Sequence, residues 1–420
     1  MPPMRARVRW GWYLLIFAAG LGVGLFVLRP LQRQTRPDGV GAGEQIPQRD
    51  RSTNAWGTLE ALRIPLEDPG DFFPDRAVRL RPARWLFERF DQSALSNFLT
   101  QCELTREQAA ELLDSSHWQL ASNGLVVVPS EPVVLSLSSK SRAQIYTSLA
   151  RSAENYSQQF PFRFRESEFT NVFAGSELPK EKLQLIKDLS YADRGSLCFA
   201  DVQVLPSMLS SNEFREAVSC LYATPAYRLR LRVYPESDIG PLVKYWSRGR
   251  SADRIRPLLE SLTKLPDPNG ASINISYMLP AFARLRLYTF PKAWREPQTG
   301  KEDCFWTSMN FFNDEPDMRF LDGNYVRQIL KTDYHVVRDQ PRYGDLVTLV
   351  GPTGDGRHMC VYIAEDFVYT KNGMNELCPW VLMKLPDMLT AFTSHDEQRM
   401  VIVRHNESNP ASSGSVVPGG

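Results

Sequence analysis

Cysteine is scarce in this sequence, with six residues among 420, and no two of them have the Cys-x-x-Cys spacing of a zinc site. The charges nearly cancel, since 49 basic and 48 acidic residues leave a formal net charge of +1. No internal repeat or phosphate-binding glycine loop is present. We therefore expect no disulfide scaffold, no metal, no organic cofactor and no nucleic-acid partner.

Long hydrophobic runs are also absent, except that residues 10–28 form an uncharged apolar run of 19 residues. A helix of about that length can cross a bilayer. Because Arg29 follows the run without an A-x-A cleavage pattern, we favour an uncleaved anchor over a cleaved signal peptide. The sequence thus predicts a single-pass membrane protein whose short N-terminal segment is inside and whose folded part is extracytoplasmic.

The chain is longer than one typical domain, so we expect two folded units, with α+β as the fold class. The segment after the anchor is polar and predicts a flexible linker, and the Ser-, Pro- and Gly-rich end predicts a disordered tail. The expected boundaries are 1–30 for the anchor, 31–54 for the linker, 55–284 for a mixed α/β domain of unassigned role, 285–405 for a second domain and 406–420 for the tail.

Short patterns predict individual elements of the middle domain. Residues 105–113 predict a helix with Thr105 as its cap. Strict alternation of apolar and polar residues predicts a strand at 227–234, and apolar runs predict buried strands at 125–128 and 133–137.

The chemistry-bearing pattern begins at Cys304. Asp303 is a good helix cap, and Phe305, Met309 and Phe312 repeat at the spacing of one helix face, so a helix is predicted to begin at the cysteine. Backbone N–H groups and the dipole of a first helical turn favour a thiolate, which is the nucleophilic form. The alternative is that Cys304 is a small buried apolar side chain, the usual state of a free cysteine.

Three strands are predicted downstream of this helix, at 342–350, 358–363 and 367–371. The second strand begins at His358, and Asn372 follows the third. A thiol at a helix start with a histidine on a nearby strand is the arrangement that a Cys–His nucleophile pair requires. His335 is the alternative base.

These residues give the segment a family resemblance. Asp-Cys at a helix start, Tyr-Gly-Asp-Leu-Val at 343–347 and His-x-x-x-Tyr-Ile at 358–363 resemble the NlpC/P60 group of papain-like cysteine hydrolases, over about a quarter of the chain. Many members cut peptide bonds in bacterial cell-wall peptidoglycan. The resemblance implies a papain-like domain with an antiparallel sheet, Cys304 as nucleophile, His358 as base, and a peptide or peptidoglycan-like substrate.

A third polar residue normally orients the histidine in this family, and the choices are Asn372, Thr370 and Tyr369. A three-residue hairpin loop at 364–366 would place His358 opposite Asn372, within reach of a hydrogen bond. Asn372 is therefore our predicted orienting residue. Thr370 is the alternative as a diagonal neighbour on the same face.

The resulting prediction is a membrane-anchored thiol hydrolase that cleaves amide bonds through Cys304, His358 and Asn372. Two rival functions stay open. One is a papain-like binding module whose active site has lapsed, because the bulky Phe305-Trp306 pair replaces the Ser-Gly usual in the family and would narrow the cleft. The other is a Cys–His acyltransferase. The sequence leaves the oligomeric state open.

Overall fold

The structure is a computed structural model. The structure describes residues 54–66, 83–248, 252–291, 302–374, 378–393 and 397–406.

The helices of the first half begin where capping side chains stand. Thr105 accepts from the backbone N–H of Gln108 and Gln108 bonds back to the Thr105 N–H, which confirms the predicted cap. Ser210 and Glu213 form a second capping box. The helices up to residue 222 are α1 (Gln92–Thr100), α2 (Arg106–Leu112), α3 (Glu131–Ser136), α4 (Ser139–Leu149), α5 (Tyr156–Gln159), α6 (Phe169–Val172), α7 (Lys180–Asp188), α8 (Leu205–Met208) and α9 (Ser211–Tyr222).

Two three-stranded antiparallel sheets pack with these helices around one core, with strand orders β2-β4-β3 and β5-β7-β6. The first strand of the described residues, β1 (Thr58–Leu66), pairs with a different sheet. The strands of the two sheets are β2 (Trp85–Glu88), β3 (Trp118–Ala121), β4 (Gly124–Val127), β5 (Phe162–Phe164), β6 (Tyr191–Asp193) and β7 (Ser196–Phe199).

One strand prediction in this half is confirmed and one is wrong. The strand expected at 125–128 is β4, but the strand expected at 133–137 is the helix α3. Ser130 caps that helix by accepting from the Val133 N–H, and Pro132 stands in its first turn, where a missing N–H costs nothing.

The second half combines a small sheet, of order β1-β8-β9, with a six-stranded antiparallel sheet. The small sheet and its helices comprise β8 (Thr224–Val233), α10 (Ile239–Ser247), α11 (Ala252–Thr263), β9 (Ala271–Asn274) and α12 (Ala281–Arg286). The larger sheet and its helices comprise α13 (Cys304–Met309), α14 (Gly323–Asp333), β10 (Tyr334–Val336), β11 (Leu346–Val350), β12 (Gly356–Ala364), β13 (Phe367–Lys371), β14 (Trp380–Lys384), α15 (Leu385–Ala391) and β15 (Arg399–His405).

Both parts of this half share one core. A single hydrophobic cluster contains Leu229 and Phe282 from the small sheet and its helix, together with Trp306, Val361 and Tyr369 from the larger sheet and the helix that covers it. The core therefore joins residues on both sides of the boundary expected at 284/285.

The order of strands in the larger sheet is β10-β15-β11-β12-β13-β14, and every pairing is antiparallel. Ala364 pairs with Phe367, so the hairpin loop has two residues rather than the predicted three. An irregularity between Tyr362 and Ala364 shifts the register, so that Val361 faces Tyr369. Counting outward from that pair places His358 level with Asn372, as predicted.

The membrane part of the predicted fold class and location is corrected. The longest helices of the described residues, α9 and α11, have 12 residues each, whereas a membrane span needs about 20 predominantly apolar ones. None of the helices in the described part of the chain is long and apolar enough to cross a membrane. The run at 10–28 lies outside the described residues.

Candidate functional site

Cys304 is the first residue of α13, as predicted. The Asp303 carboxylate caps the helix by accepting from the Trp306 N–H at 2.7 Å. Only 6% of Cys304 is exposed, and the neighbouring Trp306 side chain is fully buried. The cap fixes the thiol in the first helical turn, beneath the protein surface. Helix α13 ends at Met309, so Phe312 of the predicted apolar stripe lies beyond it.

Helix α13 covers one face of the six-stranded sheet, and its contacts show which face. The Trp380 indole N–H donates to Thr307 Oγ1 at 3.0 Å, and the rings of Phe311 and Tyr369 lie 5.4 Å apart. Trp380 pairs with Lys371 across β13 and β14, and paired residues share a face. The face under α13 therefore carries Tyr369, Lys371 and Trp380.

His358 projects from the other face. Successive residues of a strand alternate in direction, and Met359 belongs to the core under α13, whereas Cys360 belongs to a separate cluster on the far side. The His358 ring stacks on Phe392, just after α15, with ring centroids 3.8 Å apart. Cys304 and His358 thus lie on opposite sides of the sheet.

The structure does bring His358 and the other predicted polar residues together. His358 Nε2 lies 2.9 Å from Thr370 Oγ1, and the Thr370 hydroxyl donates to Asn372 Oδ1 at 3.0 Å. Asn372 therefore reaches the imidazole only through Thr370, the predicted diagonal neighbour. Asn372 also donates to Met383 Sδ at 3.4 Å.

This chain of bonds fixes the state of the imidazole. Thr370 has one hydroxyl proton and uses it in the hydrogen bond to Asn372. Its oxygen can therefore only accept from His358, so Nε2 of His358 carries a proton. Nδ1 is then a bare acceptor, buried without a hydrogen-bond partner among the described residues. Burial lowers the pKa of His358 to about 3, and the ring is neutral at physiological pH.

Electrostatics at Cys304 contradict the expected thiolate. Burial raises the pKa of the Cys304 thiol well above its usual range, and the neighbouring Asp303 carboxylate raises it further. A hydrogen bond from the Met359 backbone N–H and the charge of Lys371 act in the opposite direction but are smaller effects. The protonated thiol is therefore the stable form, which is the alternative reading of a buried cysteine.

Lys371 is the neighbour of Cys304 that the sequence argument missed. Its side chain is fully buried, and burial lowers its pKa, while Cys378, Glu302, Cys304 and Asp303 favour its charged form. Lys371 stands one position before Asn372 and so faces the opposite way, toward α13. The sequence predicts that side chains alternate in direction along β13, but it does not predict which face of the sheet α13 covers.

The remaining candidates take structural positions. Tyr369 faces α13 and its hydroxyl donates to the Ala283 carbonyl at 3.3 Å. His335 is exposed on β10, with Nδ1 2.8 Å from Asn406 Oδ1. Within the described ranges, no group of three or more His, Cys, Asp and Glu side chains is placed to hold a metal ion.

Comparisons with protein-family models, with curated proteins and with solved structures found no match to this chain.

Proposed function

We propose that the domain around residues 285–405 is a papain-like binding module whose Cys–His centre does not catalyse, and that it binds a peptide or peptidoglycan-like ligand. The resemblance of residues 303–363 to the NlpC/P60 group suggests the ligand class. The single observation that carries the proposal is that Cys304 begins the helix that covers one face of the sheet, whereas His358 projects from the other face.

That placement matters because a nucleophile and its base must come within about 2.6–3.2 Å of each other. His358 Nε2 is already hydrogen-bonded to Thr370, and burial keeps the ring neutral at physiological pH. The Cys304 thiol is buried and its pKa is raised. Each property opposes proton transfer from the thiol to the imidazole.

A thiol hydrolase is the second candidate, and the position of Lys371 favours it. Lys371 lies on the same face as Cys304, and burial lowers its pKa, which makes the neutral amine more accessible. In this alternative Lys371 Nζ takes the thiol proton and the Cys304 sulfur attacks an amide carbonyl. The protonated amine then passes the proton to the leaving nitrogen, and water hydrolyses the thioester.

Incubation of the full chain with purified peptidoglycan separates the two candidates. The wild type, Cys304→Ala and the control Cys360→Ala, which removes a buried thiol from the other face, are sedimented with the polymer, and released fragments are analysed by mass spectrometry. The binding module predicts equal co-sedimentation of all three and no fragments. Fragments from the wild type and the control alone would establish the hydrolase. No sedimentation and no fragments would refute both.

A further inference from the structure

A cavity of about 190 Å³ lies between the two halves of the molecule, and Cys304 is not among its lining residues. Its walls come from β5, α6 and the end of α9 on one side, and from β1, β14 and α15 on the other. Phe164, Leu221 and Met383 give it an apolar portion, and Asn372 contributes an amide. The cavity therefore combines an apolar wall with polar groups, as small-molecule sites do.

Three arginines and two carboxylates also line this cavity, and most of their charges are already paired. Arg165 Nε donates to Asp387 Oδ1 at 2.7 Å, and Arg165 Nη2 lies 3.3 Å from Glu168 Oε1. Arg163 is held by Asp193 behind the wall, at 2.8 Å. Among the described residues, the third arginine has only a long ion pair with a carboxylate.

That third arginine is Arg63 on β1. Its Nη1 atom is buried and has no hydrogen-bond partner among the described residues. The nearest carboxylate oxygen in an ion pair is Glu168 Oε2, at 3.8 Å, which is too long for a hydrogen bond. Glu168 is itself engaged by Arg165 and by the Asn171 amide at 3.0 Å. The Arg63 side chain is 24% exposed, so an anion can reach it, and a buried N–H donor without an acceptor is a costly feature that such an anion would relieve.

We propose that this cavity binds a small carboxylate with a short apolar tail. Arg63 holds the carboxylate, because the guanidinium fork matches the two oxygens of that group. Phe164, Leu221 and Met383 surround the tail. At about 30 Å³ for each water-sized group, the cavity volume of about 190 Å³ accommodates about six of them, which is close to the non-hydrogen atoms of a four- or five-carbon acid.

Two sources share this chemistry, a free short-chain acid and the C-terminal carboxylate of a peptide ending in an apolar residue. This site goes beyond the proposed function and does not depend on whether Cys304 reacts. Asn372, predicted as a catalytic residue, acts here as part of the cavity wall.

The test is an equilibrium titration of the full chain, followed by NMR, with pentanoate as the probe and pentanamide as its uncharged counterpart. The variants are Arg63→Gln and a matched control, Arg84→Gln, whose exposed side chain pairs with Glu154 away from the cavity. We expect saturable pentanoate binding to the wild type and the control, affinity at least about tenfold weaker in Arg63→Gln, and no binding of pentanamide.

The tripeptide Gly-Gly-Val and its C-terminal amide are titrated in the same way. Peptide binding tighter than pentanoate binding would identify the peptide as the source of the carboxylate.

A second variant keeps the test decisive if Arg63→Gln does not fold. Ala223→Leu narrows the cavity without changing its charge and is expected to weaken pentanoate binding as well. The proposal is overturned if the wild type binds neither pentanoate nor the peptide, or if Arg63→Gln and Ala223→Leu bind the probe as the wild type does. These outcomes are measured by titration of the Arg63 and Ala223 variants, so failure of this proposal is distinguishable from failure of the proposed function, which is measured by co-sedimentation and fragment release with the Cys304 variant.

Discussion

The imidazole of His358 and the hydroxyl of Thr370 are joined by a buried hydrogen bond of 2.9 Å across β12 and β13. The Thr370 hydroxyl in turn donates a hydrogen bond to Asn372 Oδ1. The three side chains therefore form one line of hydrogen bonds on the face of the sheet that α13 does not cover. These hydrogen bonds give His358 and Asn372, which the sequence predicts as catalytic residues, a role in stabilising the sheet.

Replacing Thr370 tests that line. Thr370→Val keeps the shape and removes the hydroxyl, which leaves the Nε2 proton of His358 without an acceptor, so the free energy of unfolding should fall by about 1–3 kcal/mol. Thr370→Ser keeps the hydroxyl and should lose clearly less. Urea denaturation of both variants measures the difference, and equal losses would show that the bond does not stabilise the fold.

Acidification should destabilise the protein through His358. The unfolded imidazole binds a proton near pH 6.5, whereas the folded one has a pKa of about 3. Between these values the unfolded state holds more protons, so the stability that is fully present above pH 6.5 declines as the pH falls. The decline is at most about 1.4 kcal/mol per pH unit, or about 2 kcal/mol by pH 5.

Urea denaturation at pH 7 and pH 5 checks this, with His358→Gln and His335→Gln compared to the wild type. The wild type and His335→Gln should lose about 2 kcal/mol more on acidification than His358→Gln, since His335 is exposed. The same loss in all three proteins would mean that the buried ring is not the titrating group.

The first half of the chain contains an ion pair whose contribution to the free energy of unfolding depends on its burial. Arg142 pairs with Asp201, both side chains are fully buried, and the Tyr146 hydroxyl donates to Asp201 at 2.6 Å. Arg142→Met leaves the carboxylate without its cation and should cost about 3–5 kcal/mol. Two positions earlier, Lys140 makes an exposed pair with Glu103, so Lys140→Met should cost less than about 1 kcal/mol.

Thermal and urea unfolding of these two variants provide the comparison. If Arg142→Met were as stable as Lys140→Met, the buried pair would contribute no more than a surface one. Both positions lie in α4, so differences in helix propensity between the two substitutions stay small.

Local signals in the sequence predicted local structure well. The caps at Thr105 and Asp303, and the strand at Phe367–Lys371, depend on neighbouring residues and lie where the sequence places them. The helix α3 was missed because a short apolar run fits a strand or a helix, and the stronger signal was Ser130 followed by a proline. The run at 10–28, on which the membrane prediction depends, lies outside the described residues, and none of the described helices could cross a bilayer.

The relation between Cys304 and His358 could not be predicted, because it depends on which face of the sheet α13 covers. The sequence places both residues at the ends of their elements. The strand arithmetic assumed a three-residue loop, whereas the loop has two residues and a register irregularity restores the predicted level of His358 and Asn372. That arithmetic relates two strands to each other and says nothing about a helix packed above or below them. Contacts such as Trp380 with Thr307 decide the face, and they join residues far apart in the chain.

The central claim is that Cys304 is not a thiolate activated by His358, and the alkylation rate of Cys304 tests it most directly. Native full-length protein is treated with iodoacetamide from pH 5.5 to 9, and each cysteine is followed by peptide mass spectrometry in the wild type and in His358→Gln. We predict that Cys304 reacts more slowly than the half-buried Cys378 throughout, that its rate rises only at alkaline pH, and that His358→Gln leaves the rate unchanged. A Cys304 that reacts faster than Cys378 below pH 7, and that slows in His358→Gln, would contradict the account.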